Sequence, residues 1–166
     1  MTARQAYNHN IVVWSDIQDH LPLLKQAATG NVMEIGVRSG MSTSALLAGV
    51  EERGGHVYSV DINNCPIFQG HPQWSFMVAD SIREIERIRK FAPDNLELLF
   101  VDGDHTYEGC LADLTNYGDR AKKILIHDCE CPLTFPGVRK ACEHYSKVVK
   151  RDFYVIPGSY GMGVIE

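Results

Sequence analysis

Short apolar runs alternate with amphipathic stretches along this chain. NVMEIGV at 31–37, HVYSVDI at 56–62, WSFMVADS at 74–81, LELLFVD at 96–102 and KKILIHD at 122–128 each have the length of one strand. They are nearly continuous in apolar residues, as strands covered on both faces are. The stretches between them carry the helical period. STSALLAGVEERG should end a helix at Gly54-Gly55, REIERIRKF places Ile85, Ile88 and Phe91 at core spacing, and TYEGCLADLTNYG gathers Tyr107, Cys110, Leu111 and Leu114 on one face. A further helix is expected over 15–28, from a capping Ser15 to Thr29-Gly30, with Pro22 either kinking it or marking its start. Pro136 suits the first position of another. The tail SKVVKRDFYVIPGSYGMGVIE reads as two strands turning near Pro157-Gly158, an antiparallel hairpin.

Strands alternating with helices predict a parallel sheet covered on both sides, an open three-layer α/β domain. At 166 residues one core is enough, and no repeat or linker divides the chain, so a single domain over 1–166 is expected.

Composition narrows the picture. No run approaches the roughly 18 apolar residues of a membrane span, and MTARQAYNHN lacks a secretion pattern, so a soluble, cytoplasmic protein is expected. A net charge of -5 argues against a nucleic-acid partner held through phosphates. Cys65, Cys110, Cys129, Cys131 and Cys142 are odd in number and irregular in spacing, which suits reduced thiols. Cys129, Cys131, Cys142 and His144, with His127 nearby, could be grouped as zinc ligands, but no CxxC knuckle supports that, and buried thiols are the preferred reading.

The polar residues concentrate where the strands end. Glu34, Asp61, Asp80, Asp102 and Asp128 all fall at or near predicted strand C-termini, the edge at which open α/β sheets bind ligands. Helix capping competes with that reading at each Asp. Gly36 and Gly40 allow a sharp turn and close approach of a ligand to the backbone, with the free amides of the next helix behind them. The spacing is not the full GxGxxG fingerprint, which favours an uncharged or zwitterionic ligand over a pyrophosphate. Asp61, 27 positions beyond Glu34, suits ribose hydroxyls, and Asp80-Ser81 suits either an adenine amino group or a helix cap.

Taken together, MEIGVRSGMSTSAL, VYSVDI, VADS and LLFVDGDHTYEGCLADL followed by ILIHD resemble the class I S-adenosylmethionine-dependent methyltransferases. More narrowly they resemble the metal-dependent small-molecule O-methyltransferases, over about residues 30–130. The resemblance implies a Rossmann-like sheet of seven strands, mostly parallel, with an antiparallel C-terminal strand. It implies S-adenosylmethionine as cofactor, with Glu34, Gly36, Gly40 and Ser42 on its methionine and ribose side, Asp61 at the ribose, and Asp80 and Ser81 at the adenine. Asp102 would be the first metal ligand and Asp128 the second. His127 stands where another metal-binding or substrate-facing residue occurs, in place of the carboxylate expected in the nearest relatives. His105 matches a general base.

The expected reaction is methyl transfer to a hydroxyl of a small molecule. Asp102 and Asp128 would hold magnesium or manganese while His105 takes the proton; ligation by His127 would shift the preference toward zinc, iron or manganese. A simpler account has Asp104 and His105 capping the helix that begins near Thr106, Tyr107 packing, and His127 bonded to a neighbour. Other readings are a non-catalytic S-adenosylmethionine-binding module or subunit, a nicotinamide oxidoreductase, which lacks a tyrosine-lysine pair here, and a structural protein on the same scaffold. A short domain can also borrow the roof of its pocket from a symmetry partner, which leaves the oligomeric state open and a homo-oligomer among the alternatives.

Overall fold

The computed structural model describes residues 2–131 and 133–166. Its strands are β1 (Gly30–Ile35), β2 (Gly55–Asp61), β3 (Trp74–Val78), β4 (Leu96–Val101), β5 (Ala121–Ile126), β6 (Phe153–Ile156) and β7 (Met162–Ile165). They form one sheet in the order β3-β2-β1-β4-β5-β7-β6. All pairings from β3 across to β5 are parallel, and β7 runs antiparallel to both β5 and β6. The expected mostly parallel sheet with an antiparallel C-terminal strand is therefore present. The order changes direction at β1 and β4, which opens a crevice beyond the C-terminal ends of those strands.

Helices α1 (Ala3–Asn10), α2 (Leu21–Ala27), α3 (Met41–Arg53), α4 (Ile85–Phe91), α5 (Tyr107–Tyr117) and α6 (Pro136–Val149) cover the sheet. A strand sends alternate side chains to opposite faces. Thus Val32, Leu98, Phe100 and Leu125 pack with α1, α2 and α3, whereas Met33, Leu99, Val101, Ile124 and Ile126 pack with α4, α5 and α6. Both sets are buried, which is why these strands read as unbroken apolar runs. Each such side chain contributes about 1.5–3 kcal/mol, and that burial is what holds the strand tips in register.

Two helices differ from expectation. Residues 15–28 are not one helix: 18–20 form a single 3₁₀ turn and α2 starts at Leu21, uncapped by Ser15. Pro22 lies in its first turn, where a missing N–H costs nothing. Helix α1 was not anticipated, although Thr2 and Gln5 form a reciprocal capping box, with the Gln5 amide 3.2 Å from Thr2 Oγ1 and the Thr2 amide 2.9 Å from Gln5 Oε1. Among the described residues no helix is long and apolar enough to cross a membrane.

Candidate active site

The chain leaves β1 at Gly36, whose φ of +91° is left-handed. A Cβ there would lie 2.1 Å from the Asp102 carbonyl oxygen, so the loop presses directly on the end of β4. Asp61, at the tip of β2, ties the same loop down. Its Oδ2 accepts from the amides of Val37 at 2.8 Å and Arg38 at 3.0 Å, and its Oδ1 from Asn63 at 2.8 Å. Burial works to raise the Asp61 pKa, but the Arg38, Asn63 and Val37 amides together hold it below the usual carboxylate range. A carboxylate offers about four acceptor positions, and three face amides here, so Asp61 serves the loop before any ligand.

Glu34 lies behind the loop, fully buried. Its carboxyl receives the hydroxyls of Ser42 at 2.6 Å, Thr43 at 2.8 Å and Ser59 at 2.6 Å, and Trp74 donates its ring N–H to Ser59 at 2.8 Å. Burial pushes the Glu34 pKa up to about 7, with the three hydroxyls opposing. Because the folded pKa is raised, its contribution to stability is complete below the unfolded carboxyl pKa near 4.5 and is lost as pH rises toward 7. Glu34→Gln removes that titration. Chemical denaturation at pH 4.5 and pH 7.5 should show the wild type losing up to ~3 kcal/mol more than the variant between the two; equal losses would refute the assignment.

The groove itself has a volume of about 390 Å³ and is lined by Gly36, Arg38, Asp61, Asp80, Ser81, Asp102 and His105, among others. Four of the expected cofactor residues, Gly36, Asp61, Asp80 and Ser81, thus face one space. The other three stand behind it. Glu34 and Ser42 are bonded to each other, and Gly40, φ +76°, starts α3 against Ile67 and Phe68. Asp80 also closes its own turn, Oδ1 accepting from Ile82 at 2.9 Å and Arg83 at 3.1 Å. Tyr117 of α5 donates to the Ser81 carbonyl at 2.6 Å, fixing that end of the groove.

Next to the groove the tips of β4 and β5 bring acids and imidazoles together. His105 Nε2 lies 3.3 Å from Asp102 Oδ1 and 2.8 Å from Asp128 Oδ2. His127 Nδ1 lies 3.5 Å and 3.3 Å from the same two oxygens. The far side of the His127 ring, Nε2, meets the carbonyls of Asp16 at 3.1 Å and Ser159 at 2.8 Å, so Nε2 must carry a proton and Nδ1 is the atom turned to the acids. Asp128 holds a left-handed backbone, φ +64°, rare for a residue with a side chain. Asp102 and then Asp128 raise the His105 pKa to about 10. For His127 burial opposes the charge, but the two carboxylates override it and the pKa rises to about 11. Burial of Asp128 is likewise overridden, by His105 and His127, and its pKa falls to about 2.

Two carboxylate oxygens and a ring nitrogen within reach of one another fit a divalent cation. Among the described residues Asp102, His105 and Asp128 are the group with ligand atoms close enough to share one. The imagined zinc set does not assemble as one group. Cys129 and Cys142 touch through sulfur at 3.8 Å, but His144 is bonded to the Tyr107 hydroxyl. The cap of α5 is Thr106, whose side chain accepts from the Gly109 amide at 3.0 Å, assisted by Asp104 Oδ1 on the Thr106 amide at 2.8 Å. His105 takes no part in it and is free for the acids.

On its other side His105 borders a wide depression of about 790 Å³ with Tyr107, Phe135, Pro136 and Lys140. Phe135 stacks on the His105 ring, centroids 4.3 Å apart. Neither Phe135 nor the groove-lining Arg38 stood out in the sequence. Phe135 follows a loop with no motif, and Arg38 sits between two glycines that drew the attention instead.

This sheet order, with one antiparallel strand near its edge and a groove over β1 and β4, is the class I methyltransferase fold. The profile of the family described as Methyltransferase domain matches residues 33–129, and the chain belongs to that family. No curated protein sequence matches the chain. Among solved structures it is similar to MycE, a methyltransferase of the mycinamycin biosynthetic pathway determined with Mg, SAH and mycinamycin VI (TM-score 0.66, 14% identity, covering 99% of this chain and 54% of MycE). It is similar to an O-methyltransferase from Bacillus cereus in complex with SAH (TM-score 0.64, 14% identity, 98% of this chain and 89% of that one). It is also similar to the O-methyltransferase NovP (TM-score 0.64, 16% identity, 90% of this chain and 79% of that one). The chain spans about half the length of MycE.

Proposed function

We propose that this protein transfers the methyl group of S-adenosylmethionine to a hydroxyl of a small molecule. The observation that carries the proposal is one continuous edge. The groove that joins Gly36, Asp61, Asp80 and Ser81 runs into Asp102 and His105, and His105 in turn borders the depression beside Phe135. Adenine lies by Asp80 and Ser81, ribose by Asp61, and the acceptor in the depression. The transferred methyl then sits between two sites that share His105. SAH bound in the Bacillus cereus enzyme and in MycE supports the cofactor assignment.

Transfer is an in-line displacement in which the methyl carbon forms a bond to the acceptor oxygen while the bond to sulfur breaks. The sulfur keeps the electron pair, leaving SAH, and the hydroxyl proton goes to His105 Nε2. Holding donor and acceptor in line supplies much of the rate. Asp102 and Asp128 would hold a divalent cation through their carboxylates, with His127 Nδ1 beside them, and His105 Nε2, the third member of that cluster, would stay off the cation so that its lone pair is kept for the hydroxyl proton. Such a cation, magnesium or manganese, would lower the pKa of the acceptor hydroxyl. The two carboxylates can either share the His105 proton or neutralise a cation, and only in the second condition does Nε2 offer a free lone pair. Metal and base therefore belong to one arrangement.

Isothermal titration with S-adenosylmethionine and with NAD checks the donor. Binding of the sulfonium compound at micromolar concentration with none of NAD is expected; the reverse preference would replace this reading by an oxidoreductase. Mass-spectrometric screening of hydroxylated metabolites for a gain of one methyl group then identifies the acceptor.

A further inference from the structure

The hairpin of β6 and β7 is closed by more chain than it needs. Ile156 stands opposite Met162, and two residues are enough to turn an antiparallel pair, yet residues 157–161 connect them. Gly158, Ser159, Tyr160 and Gly161 in succession have left-handed backbone, with φ of +102°, +38°, +65° and +79°. Glycine adopts that conformation freely, whereas serine and tyrosine do not. Packing of the Tyr160 ring does not explain it, because Tyr160 is 46% exposed. Backbone held against its preference persists only where the surroundings determine it.

Those surroundings are the tip of β5. The Ser159 carbonyl accepts from His127 Nε2 at 2.8 Å, the Tyr160 carbonyl from the Glu130 amide at 2.6 Å and the Gly161 carbonyl from the Cys129 amide at 3.1 Å. On its other side the turn is anchored to the segment before α2, where Ser159 Oγ accepts from the Asp19 amide at 3.2 Å and the Gly158 carbonyl meets His20 Nε2 at 2.5 Å. The fit is close: a Cβ on Gly161 would lie 2.6 Å from Glu130 Cγ and 2.8 Å from its amide nitrogen. Three successive carbonyls thus hold residues 127, 129 and 130 and pass over Asp128, which is buried and itself left-handed. Gripping its neighbours on both sides sets where the Asp128 carboxylate stands and leaves its oxygens to His105 and His127.

We propose that Ser159, Tyr160 and Gly161 are positioning residues for the acid site, their backbone carbonyls fixing the His127 ring and the strained Asp128 between them. The inference rests on the methyl-transfer reading above for its effect on rate. A reacting constellation tolerates displacement of about 0.5 Å, and 1 Å can cost on the order of 10²-fold.

Replacing residues 157–161 by Asn-Gly closes the hairpin with a two-residue turn and removes all three carbonyls. The test compares that variant with wild type by nitrogen-edited NMR of the imidazoles, SAH calorimetry and turnover on an acceptor found by metabolite screening. In wild type without ligands the His127 Nε2–H should exchange slowly with water, and in the short-turn variant rapidly. Turnover should fall ~10²-fold while SAH affinity and KM for S-adenosylmethionine stay within about threefold. Gly161→Ala pushes the turn away from Glu130 and should show the same pattern at ~10-fold, and it decides alone if the short-turn variant does not fold. Tyr160→Ala keeps the carbonyls and should stay within about threefold of wild type in every readout. A protected His127 proton with full turnover in the short-turn variant and in Gly161→Ala overturns the proposal, as does a loss in Tyr160→Ala equal to theirs, which would assign the effect to the ring. If wild type methylates no hydroxylated metabolite, the methyl-transfer reading fails, and the His127 proton still decides whether the turn holds the ring.

Discussion

Asp102→Ala is expected to lower turnover by ~10²–10⁴-fold, the range associated with loss of a group that moves or stabilises a proton in the transition state, while donor affinity stays within about threefold. The carboxylate lies beside the proposed methyl position rather than along the nucleoside. Its Oδ1 is shared by His105 at 3.3 Å and His127 at 3.5 Å, so its removal leaves Asp128 as the single acid facing two imidazoles. Asp102→Asn keeps the volume and removes the charge. If charge is what matters, it should fall as far as the alanine variant, with melting temperature near that of wild type. EDTA should reproduce the loss in the wild type and add nothing in either variant. Equal turnover with EDTA, with manganese and in Asp102→Ala would eliminate the metal-assisted mechanism and leave positioning alone to explain the rate.

The strands and most helices were legible because their signals are local. LELLF must be buried on both faces wherever it lies in the sheet, and Pro136 announces the start of α6 without knowledge of its neighbours. The acids at the strand tips were legible for a related reason: parallel strands place every C-terminus on one edge, so Asp61, Asp80, Asp102 and Asp128 had to gather once the sheet was parallel. Which of them face a ligand was not legible. Glu34 ended beneath the loop because three hydroxyls from α3 and β2 converge on it, contacts that link residues up to 25 positions apart. The second partner of His127, the Ser159 carbonyl, comes from the far end of the chain. Arg38 was hidden by its own conformation. A sequence displays a glycine where the backbone turns left, but not an arginine held the same way.

Gly36→Ala should be the most damaging single substitution of the loop. The added carbon would stand 2.1 Å from the Asp102 carbonyl oxygen and 2.6 Å from its carbonyl carbon, both backbone atoms that no rotamer change can move aside. At φ +91° an alanine is also strained in itself. Gly54 separates the two costs. Its φ is +82° and its ψ 155°, yet a Cβ there would meet nothing within 4 Å, so Gly54→Ala carries backbone strain without collision and should cost ~1–3 kcal/mol. Gly36→Ala should cost at least ~3 kcal/mol, lowering the melting temperature by roughly 6–12 °C. Because the collision falls on the residue that bears the Asp102 carboxylate, the variant should also lose SAH binding and turnover together at temperatures where it is still folded, which Gly54→Ala should not. Equal destabilisation of the two variants, with SAH binding intact in both, would mean that the loop can retreat from β4 without consequence. The close fit between Gly36 and Asp102 would then not be what joins the donor groove to the acids.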